Sequence, residues 1–335
     1  MTDARPLVER YDALICDLDG VVYKGAVAVP HAVDVLESLR QPVVYATNNA
    51  SRTPADVAAH LRELGLSALD DAVVTSSTAA AGVLAAEIDP GALVLAVGGP
   101  GVADALTAAG LVPVAPSARA GRHVAAVVQG YGPDVTAADL AEAAYAIQDG
   151  ARWVATNVDR TLPTDRGVAP GNGSLVGAVR LAVDVEPEVM GKPAAPMYTI
   201  AARSLEISPD RVLAVGDRLE TDLGGAVAAG TAGLLVLTGV HGWADAAAAG
   251  PSTRPDHVVE DLRGLLEPYP YGRVEDGRHH RGSAVAAVHG GELHVEGDGV
   301  DALRAALDAI WAARDAGASE QWCRDSMAEL VGTAG

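Results

Sequence analysis

The sequence predicts an α/β protein with a parallel-sheet core, an α/β domain inserted into that core and a small α+β module after it. Three observations predict this architecture. Short apolar runs alternate with helical patterns along most of the chain, the middle third repeats that alternation by itself, and the pattern changes after residue 268. The 335 residues suffice for two or three domains of ordinary size.

The first part of the predicted core, residues 1–83, begins with a strand, a helix and a second strand. Residues 13–18 form an apolar run broken by Asp17, and residues 42–46 form another. Leucine and valine recur between these runs at helical spacing. Such alternation favours a parallel sheet, in which ligands bind at the carboxyl ends of the strands. Polar residues at 17–19 and 47–49 stand at two of these ends.

The middle third, residues 84–185, alternates apolar runs and helical patterns by itself and is predicted to be a separate α/β domain. Residues 186–268 then return to the outer pattern, so the two outer segments are predicted to be two parts of one interrupted core. The predicted strands of these segments are 93–97, 124–129, 153–156, 212–215 and 234–237.

Residues 269–335 are the predicted accessory module. Two apolar runs, 284–289 and 292–295, are separated by two glycines and predict a β-hairpin. A helix is predicted at 301–314, where apolar residues fall at helical spacing. This module could pack on the core, join subunits into a homo-oligomer or bind an effector, and the sequence leaves these roles open.

Composition excludes several classes of function. Hydrophobic residues make up 49% of the chain and charged residues 20%, which is typical of a globular protein. The formal net charge of −20 argues against a nucleic-acid partner or an anionic membrane surface. Residues 223–240 carry no charge, but five glycines interrupt them, so no membrane span is predicted there. Two cysteines cannot form a disulfide framework, and the predicted location is the cytoplasm.

Two acidic clusters follow predicted strands. Asp17 and Asp19 end the first strand, and two carboxylates so close together repel each other unless a cation or a shared proton relieves them. Asp217 and Asp222 follow the predicted strand at 212–215. Because these carboxylates should meet at one sheet edge, they predict an oxygen-rich site suited to Mg²⁺.

Other polar residues suit the binding of an anion. Thr47, Asn48 and Asn49 end the second strand, where a hydroxyl and backbone amides can donate hydrogen bonds. Lys192 is one of only two lysines among the 24 basic residues, and the other is Lys24. Taken alone, the first group would usually be a turn or a cap, and a lysine is usually a solvated surface residue.

Together these elements resemble the four motifs of the haloacid dehalogenase (HAD) superfamily of phosphatases and phosphotransferases. Asp-x-Asp-Gly-Val begins at Asp17, Thr-Asn-Asn begins at Thr47, Gly-Lys-Pro contains Lys192, and Gly-Asp-Arg-x-x-Thr-Asp contains Asp217. The resemblance spans residues 11–265 and is greatest to the branch of phosphoglycolate, glycerol 3-phosphate and p-nitrophenyl phosphate phosphatases. It implies a Rossmann-like core with an inserted C2-type α/β cap domain, which fits the predicted middle domain.

The resemblance also implies catalytic roles. Asp17 would attack phosphorus and form an aspartyl phosphate, and Asp19 would protonate the leaving alkoxide and later activate water. Thr47 would donate a hydrogen bond to a phosphoryl oxygen, and Asn48 would offer its backbone amide. Lys192 would neutralise charge on the nucleophile and on the phosphoryl group.

For the metal, the resemblance implies that Mg²⁺ is held by the side chains of Asp17 and Asp217 and by the backbone carbonyl of Asp19. Asp222 would orient the waters of the ion. Residues 156–159 resemble a segment that this branch places near the substrate entrance, although an ordinary turn explains them equally well.

The predicted function is therefore a Mg²⁺-dependent phosphatase of small phosphorylated metabolites, with glycerol 3-phosphate or 2-phosphoglycolate as the first choices of substrate. Sugar phosphates, nucleotides and pyridoxal phosphate are the alternatives. A dehalogenase of the same superfamily would, by the resemblance, use no metal and need no second acid, so Asp19 and Asp217 argue against that activity. A receiver-like regulatory protein with a phosphorylated aspartate would need neither a cap of a hundred residues nor an acid two residues after the acceptor.

Overall fold

A computed structural model describes residues 5–164 and 166–334 of the protein. The chain divides into two compact units. The first contains the residues up to Val43 and those from Leu205 onward, and the second is Val44–Ser204. The predicted limits of the inserted domain, residues 84 and 185, fall within the second unit and stay a prediction.

The helices are α1 (Ala32–Ser38), α2 (Pro54–Glu63), α3 (Ser76–Glu87), α4 (Pro100–Ala108), α5 (Pro116–Arg119), α6 (Ala137–Gln148), α7 (Asn172–Arg180), α8 (Pro196–Ser204), α9 (Gly224–Ala229), α10 (Trp243–Ala248), α11 (Gly299–Asp315) and α12 (Glu320–Ala334). The strands are β1 (Ala13–Cys16), β2 (Tyr23–Lys24), β3 (Val27–Ala28), β4 (Val43–Thr47), β5 (Val73–Thr75), β6 (Leu93–Val97), β7 (Val112–Val114), β8 (Ala126–Gln129), β9 (Arg152–Ala155), β10 (Thr161–Thr164), β11 (Gly167–Pro170), β12 (Glu188–Val189), β13 (Val212–Gly216), β14 (Ala232–Val236), β15 (His257–Val259), β16 (Arg273–Glu275), β17 (Arg278–Arg281), β18 (Ala284–His289) and β19 (Glu292–Glu296). Short 3₁₀ turns occur at Leu7–Arg10, Asp70–Ala72, Pro209–Arg211 and Leu262–Leu266, and Leu219–Leu223 forms a π-helical turn.

The first unit contains parallel strands in the order β15, β14, β13, β1. Every residue of β1 and β13 is buried, as expected for parallel strands covered on both faces, and this explains their unbroken apolar sequences. Cys16 is in register with Val215. The residues that follow, Asp17 on one strand and Asp217 on the other, therefore leave the sheet at the same carboxyl edge.

The accessory module belongs to the first unit and is a four-stranded antiparallel sheet, β16 to β19, packed against α11. The predicted hairpin is confirmed as β18 and β19, and the predicted helix as α11. Helix α12 packs against α10 and α11, and these helices share an apolar cluster that contains Trp243, Ile310, Cys323 and Met327. The module thus packs on the core elements of this unit, which is one of the three roles open to it from the sequence.

The second unit contains the parallel pair β4 and β5 and a five-stranded parallel sheet in the order β12, β9, β8, β6, β7. Alternate residues of its strands face opposite layers. Val127 and Trp153 pack in a cluster with α6 and α7, whereas Val128 and Val154 pack in a cluster with α3 and α4. The predicted strands of the middle third are confirmed as β6, β8 and β9, each within two residues.

Over the part of the chain that the structure describes, none of the helices is both long and apolar enough to cross a membrane. The uncharged stretch 223–240 contains α9 and β14 instead, and Gly230 ends α9 in the left-handed conformation (φ 71°).

Candidate active site

The first unit gathers three aspartates at the carboxyl edge of its sheet. Carboxylate oxygens of Asp17, Asp217 and Asp222 all lie within 4.8 Å of one another. Asp217 and Asp222 are only 1% and 3% exposed, and Asp17 is half-buried. Asp17 follows β1 and Asp217 follows β13, so the parallel register of these two neighbouring strands brings together residues 200 positions apart in the sequence.

Backbone groups hold the two buried carboxylates in place. The N–H of Val240 donates to Asp217 Oδ2 at 2.8 Å, and the N–H of Arg218 donates to Asp222 Oδ2 at 3.1 Å. Gly20 has a φ of +86°, and a Cβ there would lie 2.3 Å from Asp217 Oδ2. Only glycine therefore allows the loop after β1 to pass this carboxylate so closely.

The composition of this cluster fits a small divalent cation. All three side chains offer hard oxygen ligands, which Mg²⁺ prefers, and a few carboxylates completed by water and phosphate oxygens are its usual environment. Three carboxylates this close together, two of them buried, would repel one another strongly without positive charge. The predicted metal residues Asp17, Asp217 and Asp222 are thus brought together.

Asp19 differs from these three residues because its side chain is exposed. It lies in a tight loop in which the carbonyl oxygen of Leu18 accepts from the N–H groups of Val22 and Tyr23, and the N–H of Gly20 donates to the carbonyl of Tyr23. The loop keeps Asp19 two residues beyond Asp17 while leaving its carboxyl group in contact with water. Such a group can exchange protons with solvent.

The second unit places Thr47, Asn48 and Asn49 directly at the end of β4. Thr47 is buried, and its Oγ1 accepts from the N–H of Asn49 at 3.1 Å. A hydroxyl that accepts one hydrogen bond still has its own proton to donate to an anion. Asn49 is exposed, and its Oδ1 accepts from the backbone and the hydroxyl of Ser51.

The same unit buries Lys192, which is only 3% exposed. Its Nζ donates to the carbonyl oxygen of Ala46 at 3.2 Å, and Ala46 is the residue of β4 that directly precedes Thr47. Lys24, in contrast, is exposed. A buried ammonium group is costly unless it meets an opposing charge or a polar ligand, so burial distinguishes Lys192 from Lys24 as a candidate ligand of an anion.

Sequence reasoning missed the residues that surround Asn48. Ser76 and Asn157 both donate to its backbone carbonyl, and Asp159 accepts from its side chain. Residues 156–159 drew attention only through the resemblance, and no local pattern pointed to Ser76. These partners lie far from Asn48 in sequence, so only the folded chain identifies them.

The glycine-rich run at residues 98–101 has a structural role. The glycines at 98–101 form the turn that begins α4, whose N-cap is Gly99. In the residues that the structure describes, the acidic cluster is the one group of three or more metal-ligating side chains, so the histidines of the accessory module form no such site.

Comparison with known proteins gives two matches to family models. A haloacid dehalogenase-like hydrolase model matches residues 14–112, and a HAD-hydrolase-like model matches residues 189–265. These two segments contain all the acidic residues of the cluster, together with Asp19, Thr47 and Lys192.

Among known proteins, the chain is 43% identical over 323 residues to the D-glycerol 3-phosphate phosphatase of Mycobacterium tuberculosis, covering 93% of this chain and 89% of that protein. It is 36% identical to an acid sugar phosphatase of Staphylococcus epidermidis, over 71% of this chain and 91% of that one. The crystal structure of the M. tuberculosis glycerol phosphate phosphatase with magnesium aligns with a TM-score of 0.82 over 92% of each chain. A p-nitrophenyl phosphatase of Archaeoglobus fulgidus, 28% identical, aligns with a TM-score of 0.70 over 76% of this chain and 98% of its own.

Proposed function

Since the chain belongs to the haloacid dehalogenase-like hydrolase family and is a phosphatase of small phosphorylated metabolites, we propose that its substrate is glycerol 3-phosphate. One observation carries this choice. The similarity to a D-glycerol 3-phosphate phosphatase extends over 93% of the chain, so it includes most of the accessory module as well as the segments that contain the motifs.

We propose that Asp17 is the nucleophile. Its carboxylate oxygen attacks phosphorus, the bond from phosphorus to the ester oxygen breaks, and Asp19 gives its proton to the departing alkoxide. Asp19, now ionised, then takes a proton from a water molecule that attacks the aspartyl phosphate, which releases inorganic phosphate and restores both carboxyl groups. The half-buried position of Asp17 and the exposure of Asp19 support this division of roles.

The proposed cation ligands are Asp17, Asp217 and the backbone carbonyl of Asp19, with Asp222 orienting the ion's waters. Bound there, Mg²⁺ supplies positive charge that draws the phosphoryl group toward the nucleophile. The donor set of the cluster and the magnesium in the crystal structure of the M. tuberculosis relative support this assignment.

The proposed phosphate ligands are Thr47, through its hydroxyl, Asn48, through its backbone amide, Asn49 and Lys192. The oxygens of a phosphoryl group carry negative charge in both the ground state and the transition state. Hydrogen-bond donors held in fixed positions toward these oxygens stabilise that charge. The burial of Thr47 and Lys192 supports this role, because donors removed from water act more strongly.

Sugar phosphates are the second candidate class, because the chain is also 36% identical to acid sugar phosphatases. We propose the cytoplasm as the place of action, since both cysteines are thiols buried in the fold and a reducing compartment preserves thiols.

The test is a panel of phosphate esters assayed with saturating Mg²⁺: both enantiomers of glycerol 3-phosphate, 2-phosphoglycolate, hexose phosphates, nucleoside monophosphates, pyridoxal phosphate and p-nitrophenyl phosphate. We expect the highest kcat/KM for one enantiomer of glycerol 3-phosphate and no turnover in excess EDTA. Asp17→Asn should lower kcat by at least about 1,000-fold while the thermal melt stays cooperative. A hexose phosphate preferred by ten-fold or more would assign the sugar class instead, and a fully active Asp17→Asn variant would refute the nucleophile.

A further inference from the structure

The side chain of Asn48 holds the backbone of Lys192 on both sides. Asn48 Oδ1 accepts from the N–H of Lys192 at 2.8 Å, and Asn48 Nδ2 donates to the carbonyl oxygen of the same residue at 3.0 Å. The two residues are 144 positions apart in the sequence. One amide side chain therefore fixes the peptide groups before and after the Cα of Lys192.

The Nζ end of Lys192 is anchored by the same strand end. Its hydrogen bond to Ala46 O and the two hydrogen bonds to Asn48 come from residues on either side of Thr47. The lysine side chain carries its ammonium group on a flexible chain of four carbons. If only one end of the residue were held by hydrogen bonds, the ammonium group could occupy a wide range of positions. Anchors at both ends restrict it to a narrow range beside Thr47.

Asp159 is a third partner that reinforces the orientation of the Asn48 amide. Asn48 Nδ2 donates to Asp159 Oδ2 at 3.1 Å as well as to the carbonyl of Lys192. Both of these groups are acceptors, whereas the N–H of Lys192 is a donor. Rotating the amide by 180° would set its carbonyl oxygen against two acceptor oxygens, so only one orientation satisfies all three partners.

The segment that carries Asp159 also holds the main chain of Asn48. Asn157 Nδ2 and Ser76 Oγ each donate to Asn48 O at 2.8 Å. Asn157 is itself fixed, because the N–H of Asp159 donates to its Oδ1 and Asn172 Nδ2 donates to its carbonyl oxygen. Residues 157–159, which follow β9, thus contact both the backbone and the side chain of Asn48.

Gly191 makes this close approach possible. A Cβ at Gly191 would lie 2.4 Å from Thr156 O and 2.6 Å from Asn48 Oδ1. Any side chain there would push Lys192 away from the amide that holds it. The glycine of the Gly-Lys-Pro motif is therefore explained by the contact with Asn48.

From these contacts we propose that the side chains of Asn48 and Asp159 position a catalytic group, because they act through Lys192 and not on the substrate. The proposal rests on the proposed function, in which the Lys192 ammonium neutralises charge in the reaction. Loss of either side chain would retain the lysine but shift the position of its ammonium group. A shift of about 1 Å is enough to lower the rate about 100-fold.

The test is a mutant cycle assayed with p-nitrophenyl phosphate and saturating Mg²⁺, so that it does not depend on the choice of natural substrate. We expect Asn48→Ala and Asp159→Ala each to lower kcat by about 10- to 100-fold, with KM changed by less than about three-fold. In the background of Lys192→Met, the same two changes should lower kcat by less than about two-fold, because the group through which they act is absent. Asp159→Asn retains an acceptor oxygen and should recover most of the activity lost in Asp159→Ala.

The controls separate this proposal from its alternatives. Asp104→Ala, on the exposed face of α4 in the same unit, should leave kcat unchanged. If Asn48→Ala does not fold, the same mutant cycle can be measured with Asp159→Ala, because Asp159 is only half-buried. The proposal would be overturned if Asn48→Ala and Asp159→Ala lowered kcat by the same factor in the Lys192→Met background as in the wild type. It would also be overturned if Asp159→Asn were as slow as Asp159→Ala. A Lys192→Met variant with wild-type kcat would refute the role of Lys192 itself, which is a failure of the proposed function.

Discussion

The aspartates of the site differ in their contact with water, and this difference matches different chemical tasks. Asp217 and Asp222 are buried and accept hydrogen bonds from backbone N–H groups, so their carboxyl oxygens are held in fixed positions. Asp19 is exposed. In the proposed mechanism Asp19 takes its proton back from a water molecule, so the carboxyl group needs contact with water, and its exposure agrees with this role.

Asp19→Asn should separate the two steps of the reaction. With glycerol 3-phosphate we expect kcat to fall by about 100- to 10,000-fold, because an alkoxide must be protonated as it leaves. The p-nitrophenolate anion is stable without a proton, so the first step should survive with p-nitrophenyl phosphate. Rapid mixing should then show a burst of one p-nitrophenolate per enzyme, followed by slow turnover as water attacks without a base.

An equal loss with both substrates and no burst would contradict this role for Asp19. Asp12→Asn is a suitable control, since Asp12 is an exposed aspartate paired with Arg211 near the start of β1. It should leave both rates unchanged.

His257 is a buried imidazole at the start of β15 that the fold keeps neutral. Its Nε2 lies 2.7 Å from the hydroxyl oxygen of Tyr11, and its ring meets that of Tyr269 edge to face with 4.7 Å between the centroids. Burial, reinforced by the positive charges of Arg10, Arg281 and Arg304, lowers its pKa from 6.5 to about 3.

The pH dependence of stability follows from this shift. The unfolded chain binds a proton on His257 below pH 6.5, whereas the folded protein does not until about pH 3. The contribution of His257 to the free energy of unfolding is therefore complete above pH 6.5 and is lost as the pH falls toward 3. Between pH 7 and pH 5 the loss should be about 2 kcal/mol.

Urea unfolding of the wild-type protein and of His257→Gln at pH 7 and pH 5 measures this loss. The glutamine amide does not titrate, so the variant should lose about 2 kcal/mol less than the wild type over this interval. Equal losses in the two proteins would show that His257 does not govern the acid sensitivity.

At the scale of elements, apolar strands were predictable and polar ones were not. Strands β6 and β13 lie within one residue of their predicted positions, because buried parallel strands are unbroken apolar runs. Strands β16 and β17, by contrast, contain a single apolar residue, Val274, and owe their conformation to pairing, of β16 with β17 and of β17 with β18. No local pattern indicates such a partner.

The site was predictable to a similar extent. Asp17 and Asp217 follow apolar strands and Thr47 ends one, and Lys192 is one of only two lysines, so the sequence indicates these residues. The hydrogen bonds from Asn48 to Lys192 join residues 144 positions apart, and neither residue type nor spacing reveals them. Helix α12 was missed although Cys323, Met327 and Leu330 fall at helical spacing, a signal that was present in the sequence.

Helix α12 provides a test of how the accessory module is held. Met327 is fully buried in the apolar cluster shared by α10, α11 and α12. Met327→Ala should lower the free energy of unfolding by about 2–5 kcal/mol, because it removes buried methylene groups and leaves a cavity. Urea denaturation measures the change. Met327→Leu, which conserves volume, should cost less than about 1.5 kcal/mol, and exposed Glu329→Ala less than about 0.5 kcal/mol.

A loss as small in Met327→Ala as in Glu329→Ala would show that α12 does not contribute to the stability of this cluster.

At the scale of the whole molecule, net charge and substrate charge have the same sign. The chain carries a formal charge of −20, and the phosphate esters that the enzyme hydrolyses are anions. Attraction to the substrate must therefore come from local groups such as Lys192 and a bound cation, while the distributed charge opposes encounter. The two contributions act over different distances, so salt should separate them.

Raising the ionic strength should accelerate encounter with the substrate. Between about 0.01 M and 0.15 M the Debye length falls from about 30 Å to about 8 Å, which screens the distributed charge but leaves the contacts within the site. We therefore expect kcat/KM for glycerol 3-phosphate to rise by about two-fold or more at saturating Mg²⁺, the reverse of an enzyme that attracts its substrate by overall charge. Measuring the series in both potassium chloride and potassium glutamate separates screening from competition by one particular anion. A steady fall of kcat/KM in both salts would mean that a positive local field governs encounter despite the charge of −20.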